Sequence, residues 1–371
     1  MHIGIDARLP FYQMGGISQY TVHLVQALAA VDPENLYTIF HSRKDGRSYL
    51  PPSAANFQRQ NLWTPSHHRL ERLALAAELL PRRLDVWHSP DFIPPAAGAK
   101  RTIITVHDLN FIFYPEFLTA ESLRYYAGQI AWAVQKADHI SADSQATRRD
   151  LIERLGAPPE KVTTIPLAVN PVYERPYPAD AIHQTLTQFN LPPGFILSVG
   201  TLEPRKNLPM LLRAYQRLRQ ETAVDLPLIL VGGKGWIYDE IFATIDALEL
   251  QNQVRHLSGV DDEQLAHLYH AAGVLVTPSK YEGFGLPALE AMYCGCPVIV
   301  SNCGSLPEVV GAAGLLLDPD DDAAWAAALE RVLTDSALSA DLAARGRAQA
   351  QKFSWRETAV KTLALYRGQT A

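Results

Sequence analysis

The sequence has few cysteines and no long apolar run. Its three cysteines all lie between positions 294 and 303, a spacing that offers no disulfide framework and favours a reducing compartment. No apolar stretch approaches the roughly 20 residues of a membrane-spanning helix. The opening residues MHIGIDARLP carry charge and proline where a signal peptide would be apolar. We therefore expect a cytoplasmic protein without a transmembrane helix.

Charge is also modest. The net charge of −6 gives no electrostatic reason to expect nucleic acid as a partner. With 47% hydrophobic and 19% charged residues, the composition is that of a globular protein, and 371 residues are enough for two domains.

Short apolar runs alternate with helix-like stretches in both halves. TIITVHD from Thr102 and LPLILVGG from Leu226 are continuously apolar, as expected for strands buried on both faces of a parallel sheet. SQYTVHLVQALAAV from Ser18 is typical of the helices between them. The pattern predicts an α/β protein with two doubly wound, Rossmann-like domains that face a central cleft.

A proline-rich stretch, PLAVNPVYERPYPADA, marks the seam between the halves. We predict an N-terminal domain at residues 1–168 and a linker at residues 169–190. A C-terminal domain is predicted at residues 191–355. The terminal residues 356–371 are predicted to form a helix that packs back on the N-terminal domain.

The most informative stretch is VLVTPSKYEGFGLPALEAMYCGCPVIVS, residues 274–301. A strand is followed by Gly283 and Gly285, and a helix begins at the next residues. Glycines let a backbone approach a ligand, and a helix N-terminus presents unpaired N–H groups that suit phosphate or sugar hydroxyls. Glu282 precedes this turn and Glu290 lies one turn into the helix, where a carboxylate can accept hydrogen bonds from a vicinal diol.

A second constellation is SVGTLEPRKNL, residues 198–208. A strand ends at Gly200, and Arg205 and Lys206 fall in the loop before the next helix. Cations aimed at a diphosphate leaving group stabilise its departing charge.

Seven residues separate Glu282 from Glu290. The stretch that begins at Glu282 resembles the donor-site signature of retaining GT-B glycosyltransferases, with the pattern E-G-F-G-L-P-x-L-E followed by CGCPVI. The large family that contains bacterial mannosyltransferases and sucrose synthase, glycosyltransferase family 4, is the best match, and the resemblance spans nearly the whole chain. It implies that Glu282 and the backbone of Gly283, Phe284, Gly285 and Leu286 hold the transferred sugar, and that Glu290 holds the donor ribose.

The resemblance extends to other loops. It implies that Lys206 binds the diphosphate; Arg205 is the candidate for a second positive charge, because Thr201 stands where many members have arginine. Gly15 and Gly16 resemble a loop over the donor phosphates, with a plain tight turn as the alternative. His107 resembles a histidine at the anomeric region, with a strand-end histidine bonded to backbone as the alternative.

The sequence gives weaker signals for contacts with the nucleobase and with the acceptor. Val260 and Asp261 resemble a base-contacting loop, although Asp261 is equally plausible as a helix N-cap. Trp87, His88, Ser89, Asp143 and Ser144 end strands and are candidates for an acceptor wall or for structural roles.

The implied activity is retaining transfer of a hexose from a nucleotide diphosphate sugar to a glycan or lipid-linked acceptor. The resemblance also implies that residues 1–168 form the acceptor-side domain and residues 191–355 the nucleotide-sugar-binding domain. GDP-mannose is our first expectation for the donor, while UDP-glucose, UDP-galactose and related donors stay open. No metal or other cofactor is expected. The acidic stretch from Asp318, DPDDDAAW, is typical of a helix start rather than of a metal-binding motif. The alternatives are a nucleotide-sugar epimerase on the same fold and a non-catalytic nucleotide- or glycan-binding protein.

One stretch bears on membrane contact. HHRLERLALAAELLPRRLD, residues 67–85, is apolar on part of a predicted helix and carries four arginines. It is compatible with a helix packed on its own domain, or with a helix that contacts the membrane as in relatives that use lipid-linked acceptors.

Overall fold

The computed structural model describes residues 1–12, 15–52 and 54–369. It divides the chain into two compact units. Unit 1 comprises Met1–Ile112, Ala120–Ala168 and Ser354–Ala371, and unit 2 comprises Phe113–Thr119 and Val169–Phe353.

Unit 1 is built on a parallel sheet. Over the described residues its seven strands are β1 (His2–Ala7), β2 (Leu36–Ser42), β3 (Phe57–Leu62), β4 (Leu84–Ser89), β5 (Ala99–Val106), β6 (His139–Ala142) and β7 (Val162–Thr164). They lie in the order β3-β2-β1-β4-β5-β6-β7, and every pairing is parallel.

Helices connect these strands. They are α1 (Leu9–Tyr12), α2 (Gly16–Val31), α3 (Glu71–Leu79), α4 (Asn110–Phe113), α5 (Ala120–Lys136) and α6 (Gln145–Leu155). Helical crossovers between parallel strands cover both sheet faces, which explains the continuously apolar strands.

Unit 2 repeats the architecture. Its described strands are β8 (Ile196–Val199), β9 (Leu228–Val231), β10 (Val254–Leu257), β11 (Val274–Thr277), β12 (Val298–Ser301) and β13 (Leu315–Leu317). The order is β10-β9-β8-β11-β12-β13, again with every pairing parallel. Its helices are α7 (Ala179–Phe189), α8 (Leu208–Glu221), α9 (Asp239–Ala247), α10 (Asp262–Ala271), α11 (Leu286–Tyr293), α12 (Leu306–Val310), α13 (Asp322–Thr334) and α14 (Ser336–Ala350).

The last helix, α15 (Trp355–Tyr366), belongs to unit 1 and packs on α2. Tyr366 is fully buried and its hydroxyl hydrogen-bonds to Nδ1 of His88 at 2.6 Å. Apolar burial therefore ties the end of the chain to the first sheet.

The prediction of two doubly wound α/β domains is confirmed. The proline-rich stretch is more structured than a linker: residues from Val169 onward belong to unit 2, and 179–189 form α7. Residues 113–119, from the first half of the sequence, also belong to unit 2. Such a chain crossing leaves no compositional signal in the sequence.

Candidate active site

In unit 2 the strand order reverses between β8 and β11. Ligands of open parallel sheets bind beyond the carboxyl ends of the strands at such a switch point. A cavity lies there, lined by residues that follow both strands, among them Gly200, Thr201, Lys206 and Ser279. The topology thus brings together loops that are about 75 residues apart in sequence.

Glu282 is the centre of this cluster. One carboxylate oxygen accepts a hydrogen bond from Lys206 Nζ at 2.6 Å and one from Ser279 Oγ at 2.7 Å. The other accepts from Arg205 Nη1 at 2.8 Å. Arg205 also pairs with Glu203 at 2.7 Å and donates to the Tyr281 carbonyl at 2.7 Å. The loops after β8 and β11 are therefore joined by charged side chains.

Electrostatics keep Glu282 ionised. Burial by itself would raise the pKa of this carboxyl, but Arg205 and Lys206 outweigh it and lower the pKa to about 2. Because Glu203 and Glu282 offset the two cations, the cluster is close to neutral in this state.

The position of the Lys206 side chain depends on the glycine at residue 200. A Cβ at position 200 would lie 3.0 Å from Lys206 Cε, and the glycine has a φ of +147°. Glycine suits this position because it adopts the positive φ without strain and has no Cβ that would collide with Lys206. Glycine at the end of β8 thus lets Lys206 lie across the cavity.

The glycine loop before α11 is shaped by close packing. Gly285 has a φ of +95°, and a Cβ there would come within 2.6 Å of Leu306. Phe284 is buried and packs edge-on against Phe353 at 5.7 Å between ring centroids. Gly285 is the N-cap residue of α11, and no side chain caps this helix start, at which Leu286 is the first residue. The loop therefore presents backbone rather than side chains at a helix N-terminus.

Glu290 lies within α11, and its Oε2 accepts a hydrogen bond from Tyr269 OH at 2.8 Å. Burial raises the pKa of Glu290 to about 7; Asp262 adds to the shift and the Tyr269 hydrogen bond opposes it. Sequence reasoning missed Tyr269 and Ser279. Tyr269 is invisible to motif analysis because it reaches Glu290 from α10, and Ser279 is an unremarkable residue three positions before Glu282.

The remaining donor-side candidates are more peripheral. Thr201 is exposed, and its Cγ2 lies 2.7 Å from where a Cβ of Gly235 would be. Asp261 forms a capping box at the start of α10: its Oδ1 accepts from Gln264 N at 2.8 Å. The N-cap alternative for Asp261 is thus realised in the structure, and Val260 precedes it, half-buried.

Gly15 and Gly16 lie in unit 1, where Gly15 is the N-cap residue of α2 and Gly16 its first residue. Gly15 has an extended φ of −97°, and a Cβ at Gly16 would meet open space. The φ of Gly15 is one that other residues also adopt, and a contact of this loop with the donor phosphates stays a prediction. Residues 13 and 14, directly before it, lie outside the described part of the chain.

His107, also in unit 1, follows β5. Its Nδ1 lies 2.6 Å from Asp143 Oδ2, and its Nε2 lies 2.9 Å from the Pro90 carbonyl. Burial opposes protonation, but Asp143 outweighs it and raises the pKa of His107 to about 9. A doubly protonated ring that donates from both nitrogens fits this geometry. Both ring nitrogens are engaged within unit 1, as in the backbone-bonded alternative.

Several acceptor-wall candidates are core residues instead. Trp87 and His88 are fully buried, and His88 Nε2 hydrogen-bonds to Thr105 Oγ1 at 2.9 Å. Ser144 caps α6 by accepting from Thr147 N. Trp87, His88 and Ser144 are therefore structural, because the ends of central strands are buried under the flanking helices.

The arginine-rich stretch forms α3 with two apolar sides. Leu75 and Leu79 pack into the core of unit 1. Leu70, Leu73 and Leu80 are 60–66% exposed, and Trp63 is 71% exposed with the Arg43 guanidinium 4.0 Å above its ring. No helix among the described residues is long and apolar enough to cross a membrane.

Two family models match the chain. Residues 14–173 match "Glycosyltransferase Family 4", and residues 183–349 match "Glycosyl transferases group 1". O-antigen chain mannosyltransferase B of Escherichia coli is 35% identical over 374 residues, covering 96% of this chain and 97% of that protein. The serotype-specific mannosyltransferase WbdA of the same species is 34% identical over 72% of this chain, but over only 33% of its own length.

Solved structures share the fold. Sucrose-phosphate synthase from Thermosynechococcus elongatus superimposes with a TM-score of 0.77 at 24% identity, covering 99% of this chain and 98% of that one. Anabaena HepE, in complex with UDP and glucose, gives 0.76 at 20% identity, with 99% and 100% covered. From the matched family models, the relative that is similar along the whole chain and the shared fold, we conclude that the chain belongs to glycosyltransferase family 4 and is a glycosyltransferase of the GT-B fold.

Proposed function

We propose that this enzyme transfers mannose from GDP-mannose to a glycan or lipid-linked acceptor, with retention of the anomeric configuration. The observation that carries the proposal is the cluster of Arg205, Lys206 and Glu282 beside the N-terminus of α11, at the switch point of unit 2. The similarity to two mannosyltransferases of Escherichia coli supports mannose as the sugar.

The proposed donor site divides the work among these residues. Arg205, Lys206 and the α11 N-terminus would hold the diphosphate. Glu282 would accept hydrogen bonds from hydroxyls of the mannose, and Glu290 from the ribose. When the phosphate arrives, it competes with Glu282 for the two cations, since their contacts with this carboxylate are direct.

In the proposed reaction the acceptor oxygen forms a bond to the anomeric carbon while the bond from that carbon to the phosphate oxygen breaks. The acceptor hydroxyl proton passes to the departing diphosphate, so the chemistry needs no dedicated protein base. Charge that develops on the leaving oxygen is stabilised by Arg205 and Lys206. Because these side chains supply positive charge, we propose that no metal ion is required.

A panel of nucleotide sugars tests the donor. Purified enzyme is incubated with GDP-mannose, UDP-glucose, UDP-galactose and UDP-N-acetylglucosamine, and sugar release and transfer to a mannoside are followed. Preferred use of GDP-mannose and an α-linked product, unchanged by EDTA, are expected. A β-linked product contradicts retention, loss of transfer on chelation contradicts metal independence, and isomerised sugar without transfer indicates an epimerase.

The exposed residues on and beside α3 support the proposal that the acceptor lies close to a membrane. Leu73 on α3, Leu70 just before it and Leu80 just after it are all exposed, at intervals of three and seven residues. Arg69, Arg82 and Arg83 flank them and are exposed. We propose that this apolar and basic surface contacts anionic lipid. Cosedimentation with vesicles containing phosphatidylglycerol should fall for Leu73→Glu and stay unchanged for Glu153→Gln, a substitution at an exposed position of α6. Equal binding by both variants contradicts the contact.

A further inference from the structure

Glu290 differs from Glu282 in what holds its carboxylate. Glu282 is bound by two cations, whereas among the residues that the structure describes no arginine or lysine forms an ion pair with Glu290. Its Oε2 accepts a hydrogen bond from Tyr269 OH at 2.8 Å, and Glu290 itself is half-buried. Of the described side chains, Tyr269 is thus the one donor to this carboxylate, and Oε1 keeps its capacity to accept from a ligand.

Tyr269 has a fixed position on α10. Its side chain is fully buried, and its ring packs edge-on against Tyr173 at 5.8 Å between ring centroids. The helix α10 packs on α11, so the hydroxyl reaches Glu290 from a neighbouring helix. Interiors packed at native density leave a ring of this size no space for another rotamer. The hydroxyl is therefore held at the carboxylate before a ligand arrives.

The chain segment before α7 supports this arrangement. Pro171–Glu174 form a short 3₁₀ turn that packs on α10 and α11, and Tyr173 within it is buried. Next to the turn, Asn170 donates from Nδ2 to Asp262 Oδ2 at 2.9 Å, at the first residue of α10. Binding groups keep their geometry when their neighbours are locked by packing and hydrogen bonds. Part of the stretch that the sequence predicts as a linker is therefore fastened to the helix that carries Tyr269.

The hydrogen bond also affects the charge of Glu290. Burial raises the pKa of this carboxyl to about 7; the hydrogen bond from Tyr269 lowers it and the Asp262 carboxylate raises it. A hydrogen bond to the charged form of a group favours that form. Without the hydroxyl, the pKa of Glu290 would be higher still, and the carboxyl would be mostly protonated at neutral pH.

The tyrosines and the cysteine that face Glu290 keep their protons near neutral pH. Burial raises the pKa of the Tyr173 and Tyr269 hydroxyls and of the Cys294 thiol. Arg347 on α14, which also packs on α11, lies instead against Gly295, past the end of α11. The pH dependence expected at this position therefore belongs to the Glu290 carboxyl itself.

We propose that Tyr269 is a positioning residue for the nucleoside of the donor: it holds one oxygen of Glu290 and leaves the other to accept hydrogen bonds from the ribose hydroxyls. This rests on the proposed function, in which Glu290 binds the ribose, and it names the residue that prepares that contact. A carboxylate fixed in advance loses little conformational entropy when it binds a ligand. Because Tyr269 also favours the ionised form, it sets the lowest pH at which the nucleotide binds tightly.

Calorimetric titrations of GDP between pH 6 and pH 9 test the proposal. Tyr269→Phe keeps the ring and removes the hydroxyl, so the midpoint of the profile of affinity against pH should move up by about one pH unit. The Kd for GDP should rise about tenfold at pH 7 but only about twofold at pH 9, where the carboxylate is ionised in both proteins and only its orientation differs. A folded variant with the wild-type midpoint overturns the proposal.

A matched control separates positioning from a general loss of structure. Tyr215→Phe removes the hydroxyl of another fully buried tyrosine of unit 2, which donates to the Leu226 carbonyl at 2.7 Å, just before β9. This variant should leave the GDP profile unchanged. An equal change in the two variants overturns the proposal.

A ligand control tests the ribose. The nucleotide 2′,3′-dideoxy-GDP lacks both ribose hydroxyls, so Tyr269→Phe should change its Kd at pH 7 by less than about twofold. A loss as large as that for GDP places the effect of Tyr269 elsewhere in the ligand and overturns the proposal.

A double variant checks that the effect passes through Glu290. In a Glu290→Gln background, which has no charge to titrate at this position, adding Tyr269→Phe should change the Kd for GDP at pH 7 by less than about twofold. A further tenfold loss in the double variant would show that Tyr269 acts independently of Glu290, against the proposal.

Titration with UDP distinguishes this proposal from the proposed donor, because ribose is common to the two nucleotides. A wild-type enzyme that binds UDP and not GDP contradicts GDP-mannose as the donor. The Tyr269→Phe comparison is then made with UDP, with the same expected shift of the midpoint and the same contrary result. A wild-type enzyme that binds neither nucleotide overturns both proposals.

Discussion

The two sheets have the same strand order around their switch points but carry opposite chemistry there. In unit 2 the loops after β8 and β11 bring Arg205 and Lys206 to Glu282, with a helix N-terminus beside them. In unit 1, Asp6 near the end of β1 and Asp91 after β4 line a small cavity, while the neighbouring Arg8 is buried. The same topology thus places a cluster with two cations at one switch point and carboxylates at the other.

The difference lies in the loops rather than in the strands. The central strands of both sheets are buried and apolar, and they differ little in what they offer a ligand. Because ligands contact the loops at the carboxyl ends, a few substitutions there decide the class of substrate. Changes at the two switch points should therefore have distinct effects.

The largest effect is expected for Lys206→Ala. Removing the charge aimed at the departing phosphate should lower kcat/KM for the donor by about 100- to 1000-fold. Lys352→Ala, on the surface of unit 2, is the matched control. Circular dichroism and steady-state kinetics check the result, and donor use at the wild-type rate by a folded variant would remove Lys206 from the site.

Acid should weaken unit 2 through Glu282. Its pKa is lowered to about 2, below its ordinary value of 4.5, so its contribution to stability is present above about pH 5 and is lost as the pH falls towards 2. Between pH 6 and pH 3, protonation of Glu282 should lower the free energy of unfolding by about 2 kcal/mol. Urea denaturation of wild-type and Glu282→Gln should show a shallower acid loss for the variant; parallel curves contradict the assignment.

The affinity for GDP should depend on pH through Glu290. Its pKa is raised to about 7, so the carboxylate is mostly ionised at pH 8 and mostly protonated at pH 6. If the ionised form binds the ribose, the Kd for GDP should rise about tenfold between these pH values. Calorimetry with Glu290→Gln should give a flat profile, and a wild-type profile just as flat would argue against a ribose contact.

The smallest effects are expected for alanine substitutions at two glycines, Gly16 and Gly285. Gly16→Ala meets open space at the start of α2 and should stabilise the protein by up to about 1 kcal/mol, because the unfolded chain loses conformational freedom. Gly285→Ala should destabilise it, since φ is +95° and Leu306 lies 2.6 Å from the added Cβ. Thermal unfolding measures both, and equal shifts would show that the two glycine loops are alike.

The sequence by itself determined the fold class, and it predicted the candidate donor-side residues that lie close together in the chain. Continuous apolar strands between helices require a doubly wound sheet, and the spacing of Glu282 and Glu290 around a glycine turn identified α11. These features are local, so composition and spacing record them.

The tertiary structure decided the features that depend on distant residues. Only the fold shows that Arg205 and Lys206 are bound to Glu282, that Tyr269 reaches Glu290, and that His107 spans Asp143 and the Pro90 carbonyl. The small cavity lined by Asp6, Glu71 and Asp91 is likewise assembled from three separate segments. No local pattern records such contacts, because the reversal of strand order brings the loops together regardless of their separation along the chain.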